Sequence, residues 1–292
     1  MKSLLALPAI ALLAACSITV EHDDKTGDFK QVHVSIGTIF HGDTVRGNGS
    51  VQTETRTLAD VHDIEVVGPV DVDVSVGEAP SVEVRGDSNL LHLVNTTVNG
   101  DTLVITGGKA VGEDKLSVKV VVRELHVLRN AGPGDIHVTG LEGGNLEFES
   151  TGPGDTKLEG QLASLRVRQV GSGDLDTSVL KAGALDVSVL GSGDVSLGTL
   201  SADKLVVSVN GSGGVTASGT AKSLNGNVLG SGDINFEKLH ADDVVLELMG
   251  SGDISVYATQ SVQARVTGTG DVTIHGNPAK RVVSGQNLHF ES

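Results

Sequence analysis

Aromatic residues are almost missing from this chain: there is no tryptophan, one tyrosine and five phenylalanines in 292 residues. A core must therefore be built from Val, Leu, Ile and Ala, which suits narrow stacked layers, and sugar clefts built on aromatic platforms are disfavoured. There is a single cysteine, Cys16, so no disulfide can form within the chain. Basic residues are scarce too, with 21 Lys and Arg against 37 Asp and Glu, a formal charge of −16. Such a surface repels phosphate backbones, and nucleic acid is excluded as a natural partner. No segment carries a capped 3.6-residue pattern, which predicts an all-β protein. The motifs G-x-S-x-G, H-E-x-x-H and the phosphate-binding P-loop are all lacking.

What the chain does have is a repeat. The phrase Gly-x-Gly-Asp returns eight times at intervals of 18 to 20 residues, beginning at Gly132, Gly152, Gly171, Gly191, Gly211, Gly230, Gly250 and Gly268, with one copy reading GSGG. A short fixed period means one supersecondary unit stacked on copies of itself. Before the first glycine, positions −2, −4 and −6 are apolar in several copies, as in Val189, Val187 and Leu185 or Val209, Val207 and Leu205. This alternation is the strand signal, and it resumes after the aspartate in pairs such as Val195 and Leu197. Pro133 and Pro153 at the second position, with glycine at the third in every copy, match a type II turn, whose i+2 residue needs positive φ. A second corner is expected at stretches such as Ser201-Ala202-Asp203-Lys204. Asn130, Ser150 and Gln169 break the pattern at −2 in the early copies. Two short strands per period near 20 predict a parallel β-helix, or solenoid, of about eight coils, at about 4.8 Å per coil and on the order of 38 Å in length.

From Val51 to the first phrase, alternating segments such as Val70-Asp71-Val72-Asp73-Val74 predict a β-rich portion that caps or begins the solenoid. The expected organisation is a signal peptide over 1–15, a tether with one weak strand over 16–50, and the solenoid domain over 51–292. The start MKSLLALPAIALLAAC resembles a lipoprotein signal with Leu13-Ala14-Ala15-Cys16 as its lipobox. Its apolar run is too short to span a bilayer, which makes Cys16 the expected lipidation site and the membrane a partner through that lipid. Ser17 in place of aspartate favours outer-membrane over inner-membrane sorting.

The stretch RTLADVHDIEVVGPVDVDVSVGEAPSVEVRGDSNLLHLVNTTVNGDTLVITG, then VKVVVRELHVLRNAGPGD, the GSGD ladder and a closing VTIHGNP resemble the bacterial head GIN domain family of auto-transporter adhesin heads, from about Arg56 onward. The resemblance implies a β-helical, envelope-exposed protein, with adhesion suggested by the family's name. The residues after Asn277 do not supply the strands of an auto-transporter barrel, which leaves lipidation as the expected anchor.

For chemistry, the sequence offers a column of aspartates: Asp135, Asp155, Asp174, Asp194, Asp233, Asp253 and Asp271, interrupted at Gly214. Stacked carboxylates repel, by roughly 0.8 kcal/mol per neighbouring pair in water, so something must offset them. Hydrogen bonds from corner amides are the expected answer, and a cation ladder is the alternative; no metal or other cofactor is expected. His126, His137, His240, His275 and His289 show no ligand spacing and are expected on the solvated surface. Outward carboxylates such as Glu147, Glu149, Asp186 and Asp242 leave a polysaccharide-active enzyme as the runner-up, with an envelope assembly or stress accessory as a third reading. The leading expectation is a non-catalytic, adhesin-like envelope module whose partner is an envelope glycan or a surface protein.

Overall fold

The computed structural model describes residues 16–22, 29–36, 45–107, 110–111 and 116–291. The expected signal peptide, 1–15, lies outside the described residues. The chain divides into two units, Met1–Asp43 and Thr44–Ser292. In the first, strands Cys16–His22 and Phe29–Ile36 pair antiparallel with Cys16 opposite Ile36. One weak strand was expected in this region, and the structure has a pair.

The second unit is an all-β solenoid. Strands Ile136–Ser150, Thr156–Gln169, Leu180–Val189, Val195–Val209, Val215–Val228, Ile234–Leu248 and Ile254–Val266 lie parallel, each in register with the next coil. One continuous inward column runs Leu146, Leu165, Leu185, Leu205, Leu224, Val244 and Val262, all buried. The alternation read from the sequence therefore sets the interior. Fully burying each such side chain contributes about 1.5–3 kcal/mol.

Two features of the coil differ from the sequence reading. The phrase glycines do not adopt left-handed φ; that region is used instead by glycines at another bend, among them Gly198 (φ 65°) and Gly219 (φ 103°). The phrase glycines are needed for a different reason, close approach. A Cβ on Gly193 would overlap the carbonyl oxygen of Gly173, and one on Gly211 that of Gly191, in the coil beneath. The backbone amides of Ser212 and Gly213 donate to Gly191 O at 3.0 and 3.3 Å, which draws the corners together. The second difference lies at 201–204, which was expected to be one corner and is a bend at Asp203-Lys204 with part of a short side before it. Ala202 points inward, in register with Ala221, Ala241 and Ala258, all buried. Consecutive outward residues at 198–199 and 203–204 mark the bends on either side. Each such coil thus has three sides, the short one turning one or two side chains inward, such as Leu200 with Ala202 or Leu239 with Ala241.

Two of the three polar residues at −2 are also accounted for. Asn130, Ser150 and Gln169 stand in register and fully buried beneath the first corners. Asn130 Nδ2 donates to the carbonyls of Gly134 and Gly154 at 3.3 Å, its Oδ1 accepts from Gly132 N, and Gln169 Nε2 donates to Gly173 O. Asn130 and Gln169 serve corner carbonyls from inside, whereas the Ser150 hydroxyl has no hydrogen-bond partner, and later coils fill the position with Val189, Val209 and Val228.

The N-terminal portion both begins and caps the solenoid. Strands Asp63–Val66 and Asp71–Val76 form a coil lying between two others. On one side it pairs with Thr102–Gly107 and Ser117–Val122, and on the other with Val127–Asn130 and the start of Ile136–Ser150. Antiparallel strands then cover the outer edge: Ser81–Asp87 pairs with Ser117–Val122, Val51–Arg56 with Ser81–Asp87, and Val94–Asn99 with Thr102–Gly107. Of these strands, Val51–Arg56 and Val94–Asn99 are left with a partner on one side only among the described residues, and at six residues each they keep the template for further strand pairing short.

Candidate functional site

The aspartate column is knit across coils. Each carboxylate lies over the backbone amide of the equivalent residue one coil on: Asp135 N donates to Asp71 Oδ1 at 3.2 Å, Asp155 N to Asp135 at 3.0 Å, Asp174 N to Asp155 at 2.8 Å, and Asp194 N to Asp174 at 2.8 Å. Gly214 N continues the series onto Asp194 at 2.7 Å, and it resumes with Asp253 N on Asp233 and Asp271 N on Asp253. The amide places partial positive charge between successive carboxylates, which offsets their repulsion. The column starts at Asp71, within Gly68-Pro69-Val70-Asp71. Among the described residues, no three His, Cys, Asp or Glu side chains converge as metal ligands.

A large concavity lies elsewhere, on the sheet face that precedes the phrase. It is an open groove of about 720 Å³ floored by the small residues Gly144, Ser164 and Ala184 and flanked by Glu147, Arg166 and Asp186. The position runs Val127, Glu147, Arg166, Asp186 and Val206 through five coils in register. Two residues further along each strand stand Glu65, Arg129, Glu149 and Arg168, also in register. The charges on this face alternate coil by coil: Glu65, Arg129, then Glu147 with Glu149, Arg166 with Arg168, Asp186, and Lys204.

The two halves of that pattern are bonded differently. Glu149 is engaged on both sides, by Arg168 Nη1 at 2.7 Å and Arg129 Nε at 3.7 Å. Along the groove, Arg166 Nε reaches Asp186 Oδ2 only at 3.8 Å, beyond hydrogen bonding, and both side chains are more than half exposed. Among the described residues, Glu147 and Lys204 have no ion pair. Sequence inspection singled out Glu147, Glu149 and Asp186 as outward carboxylates, and the structure puts these three on one face. Asp242 stands apart and accepts a hydrogen bond from Thr259 Oγ1 at 2.7 Å. Arg166 and Lys204 were missed because their relation to the carboxylates exists only once coil registers of 19 and 20 residues are known.

The histidines have partners. His126 stacks on His62 with centroids 5.1 Å apart, and His62 Nδ1 lies 2.9 Å from Asp101 Oδ1. That hydrogen bond raises His62 above the ordinary imidazole range. His137 Nε2 stands 3.1 Å from Glu159 Oε1. Lys157, 2.9 Å from the same oxygen, is the main reason the Glu159 carboxyl is held below its usual range. His240 stacks on Tyr257 at 4.1 Å, His275 bonds Ser255 at 3.0 Å, and His289 approaches Asp271 at 3.6 Å.

Comparison with known proteins bears on both fold and site. The family described as "Putative auto-transporter adhesin, head GIN domain" matches residues 60–178 and again 175–278. Among solved structures, a putative adhesin from Parabacteroides distasonis ATCC 8503 is similar at 26% identity and TM-score 0.67, over 86% of this chain and 100% of that one. A putative lipid binding protein from the same organism is similar at 25% identity and TM-score 0.60 over the same shares. A putative adhesin from Parabacteroides merdae ATCC 43184, at 23% identity and TM-score 0.61 over 86% and 100% of the two chains, shares the fold. No curated protein matches.

Proposed function

The chain belongs to the head GIN domain family, and from that premise we propose that it is a non-catalytic, adhesin-like binding module, held at the outer membrane of the cell envelope by a lipid on Cys16. The observation that carries the binding half of this reading is the groove. It is open along the solenoid, and its charged walls are largely unengaged with one another, as suits a surface that exchanges its own weak ion pairs for a ligand's. The adhesins of Parabacteroides, alike in fold over most of this chain, support the same reading, and an adhesin-like family supports an envelope location. The lipid rests on the sequence of the lipobox and on Cys16 as the sole cysteine.

Two measurements test the proposal. Cys16→Ala should move the full chain from the detergent-rich membrane fraction to the soluble one, and the wild type should incorporate labelled fatty acid; a wild type that incorporates none refutes the anchor. The full chain in detergent micelles should bind whole cells or immobilised envelope glycans saturably and release no product. Turnover of any polysaccharide would replace the module with an enzyme.

A further inference from the structure

The groove's charge order carries an inference about its ligand, one that rests on the binding-module reading above. Glu147, Arg166 and Asp186 present negative, positive and negative charge on three successive coils, one step of about 4.8 Å apart, and Lys204 on the fourth coil stands two residues before that line, in register with Ala184. Cross-coil ion pairing explains the neighbouring positions, where Glu149 is bound by Arg168 and Arg129. It does not explain the groove, where Arg166 and Asp186 stop short of a hydrogen bond and Glu147 and Lys204 are left over. The alternation is confined to the groove: the same position holds uncharged Val127 and Val206 at the two ends of the lining, and Asn225 beyond it. A concavity and an unclosed charge series therefore coincide on the same three coils.

The geometry points to a linear zwitterionic oligosaccharide, with amino and carboxylate groups on alternate sugars, lying along the solenoid axis across these coils. Its ammonium groups would face Glu147 and Asp186 and the carboxylate between them Arg166, so that every charge on this line gains a partner, with Lys204 beside its end. A purely anionic chain would meet Glu147 and Asp186 unfavourably, and a purely cationic one Arg166 and Lys204. An extended peptide is a poorer match, because its same-face side chains recur at about 6.8 Å and drift out of step with the coils. One pyranose of an extended glycan advances by nearly one coil. Gly144, Ser164 and Ala184 leave room for the rings, and Asn145 and Ser164, bonded to each other at 2.7 Å, offer polar atoms to sugar hydroxyls. Arginine at the centre suits a carboxylate, which its planar fork can hold through two hydrogen bonds.

The test is calorimetry on the full chain in detergent micelles with three probes of matched length. De-N-acetylated hyaluronan oligosaccharide alternates amino and carboxylate groups, hyaluronan carries only carboxylates, and chitosan oligosaccharide only amines. The zwitterionic probe should bind at least about tenfold more tightly than either of the others, and Arg166→Gln and Glu147→Gln should each weaken it by about tenfold. Arg265→Gln, on the same face outside the groove, should leave affinity unchanged. Equal affinity for all three probes overturns the inference, as does binding insensitive to both groove variants. Tighter binding of an alternating Lys-Glu peptide would hand the groove to a protein partner and overturn it too. If the chain binds cells or other glycans but not this probe, the ligand assignment fails and the module stands. If it binds neither, both fail.

Discussion

Gly193 stands directly over Gly173, so close that a methyl group on its α-carbon would overlap the Gly173 carbonyl oxygen. The obstacle is backbone, which cannot rotate away as a flexible side chain could. The same relation recurs at Gly213, Gly232, Gly252 and Gly270, each over the phrase glycine one coil earlier. What the repeat preserves is the separation of two coils at their tightest point.

Gly193→Ala should therefore unfold the domain or lower its melting temperature severely, by more than the roughly 1 kcal/mol that glycine-to-alanine changes usually involve. Gly144→Ala, where an added Cβ meets nothing within 4 Å, should be tolerated. Thermal melts of the two variants side by side check this, and equal melting temperatures would show that stacking is not the constraint.

Val207 is buried in the column that includes Val187, whereas Ser208 next to it is only partly covered. Burying an unpaired carboxylate costs several kcal/mol, against about 0.5 kcal/mol for most surface changes. Val207→Asp should destabilise strongly and Ser208→Asp hardly at all in denaturant titrations. The reverse order would mean that the strand is turned over.

Asp194 Oδ1 accepts the Gly214 amide at 2.7 Å. Asp194→Ala should cost about 1 kcal/mol, and Asp194→Asn close to nothing, because an amide oxygen also accepts. Melting in calcium and in chelator should coincide. A large calcium-dependent rise that Asp194→Asn abolishes would make the column a cation ladder.

His62 is raised in pKa, first by its hydrogen bond to Asp101, with Asp60 and Glu124 adding to it, partial burial opposing it and His126 stacked on the ring. A histidine whose folded pKa is raised contributes stability that is complete below its unfolded value, about 6.5, and is lost as pH rises through the folded one. Melting temperatures taken from about pH 5.5 to 8.5 should fall for the wild type relative to His62→Gln across that window. Asp101→Asn should remove the same increment. Parallel curves for wild type and His62→Gln would rule out the coupling.

The solenoid was legible in the sequence because its signals are local. Alternation such as Leu185-x-Val187-x-Val189 states which side chains face inward, and a period of 18 to 20 states that the unit stacks. The type II turn was misplaced because glycine answers two different demands, a left-handed φ and the absence of a Cβ. Only the approach of Gly173 to Gly193 tells which one applies. The corner at 201–204 was placed only in part, because small and polar residues mark a bend and a narrow side equally well: Asp203 and Lys204 stand at a bend, and the buried Ala202 belongs to the side before it. Asn130 and Gln169 broke the apolar pattern because they answer carbonyls in the corners above them, which a single strand does not reveal. The groove was illegible for a related reason: Glu147, Arg166, Asp186 and Lys204 become neighbours only through the coil register.

Because that register returns every 18 to 20 residues, length in this architecture is a discrete variable. Loss or gain of one whole coil would rejoin Val, Gly and Asp columns without a seam, whereas a single-residue slip would turn every side chain of a strand to the wrong face. Indels among relatives of this chain should accordingly come in whole-coil multiples through the Gly-x-Gly-Asp region, and each would lengthen or shorten the groove face by one step of about 4.8 Å.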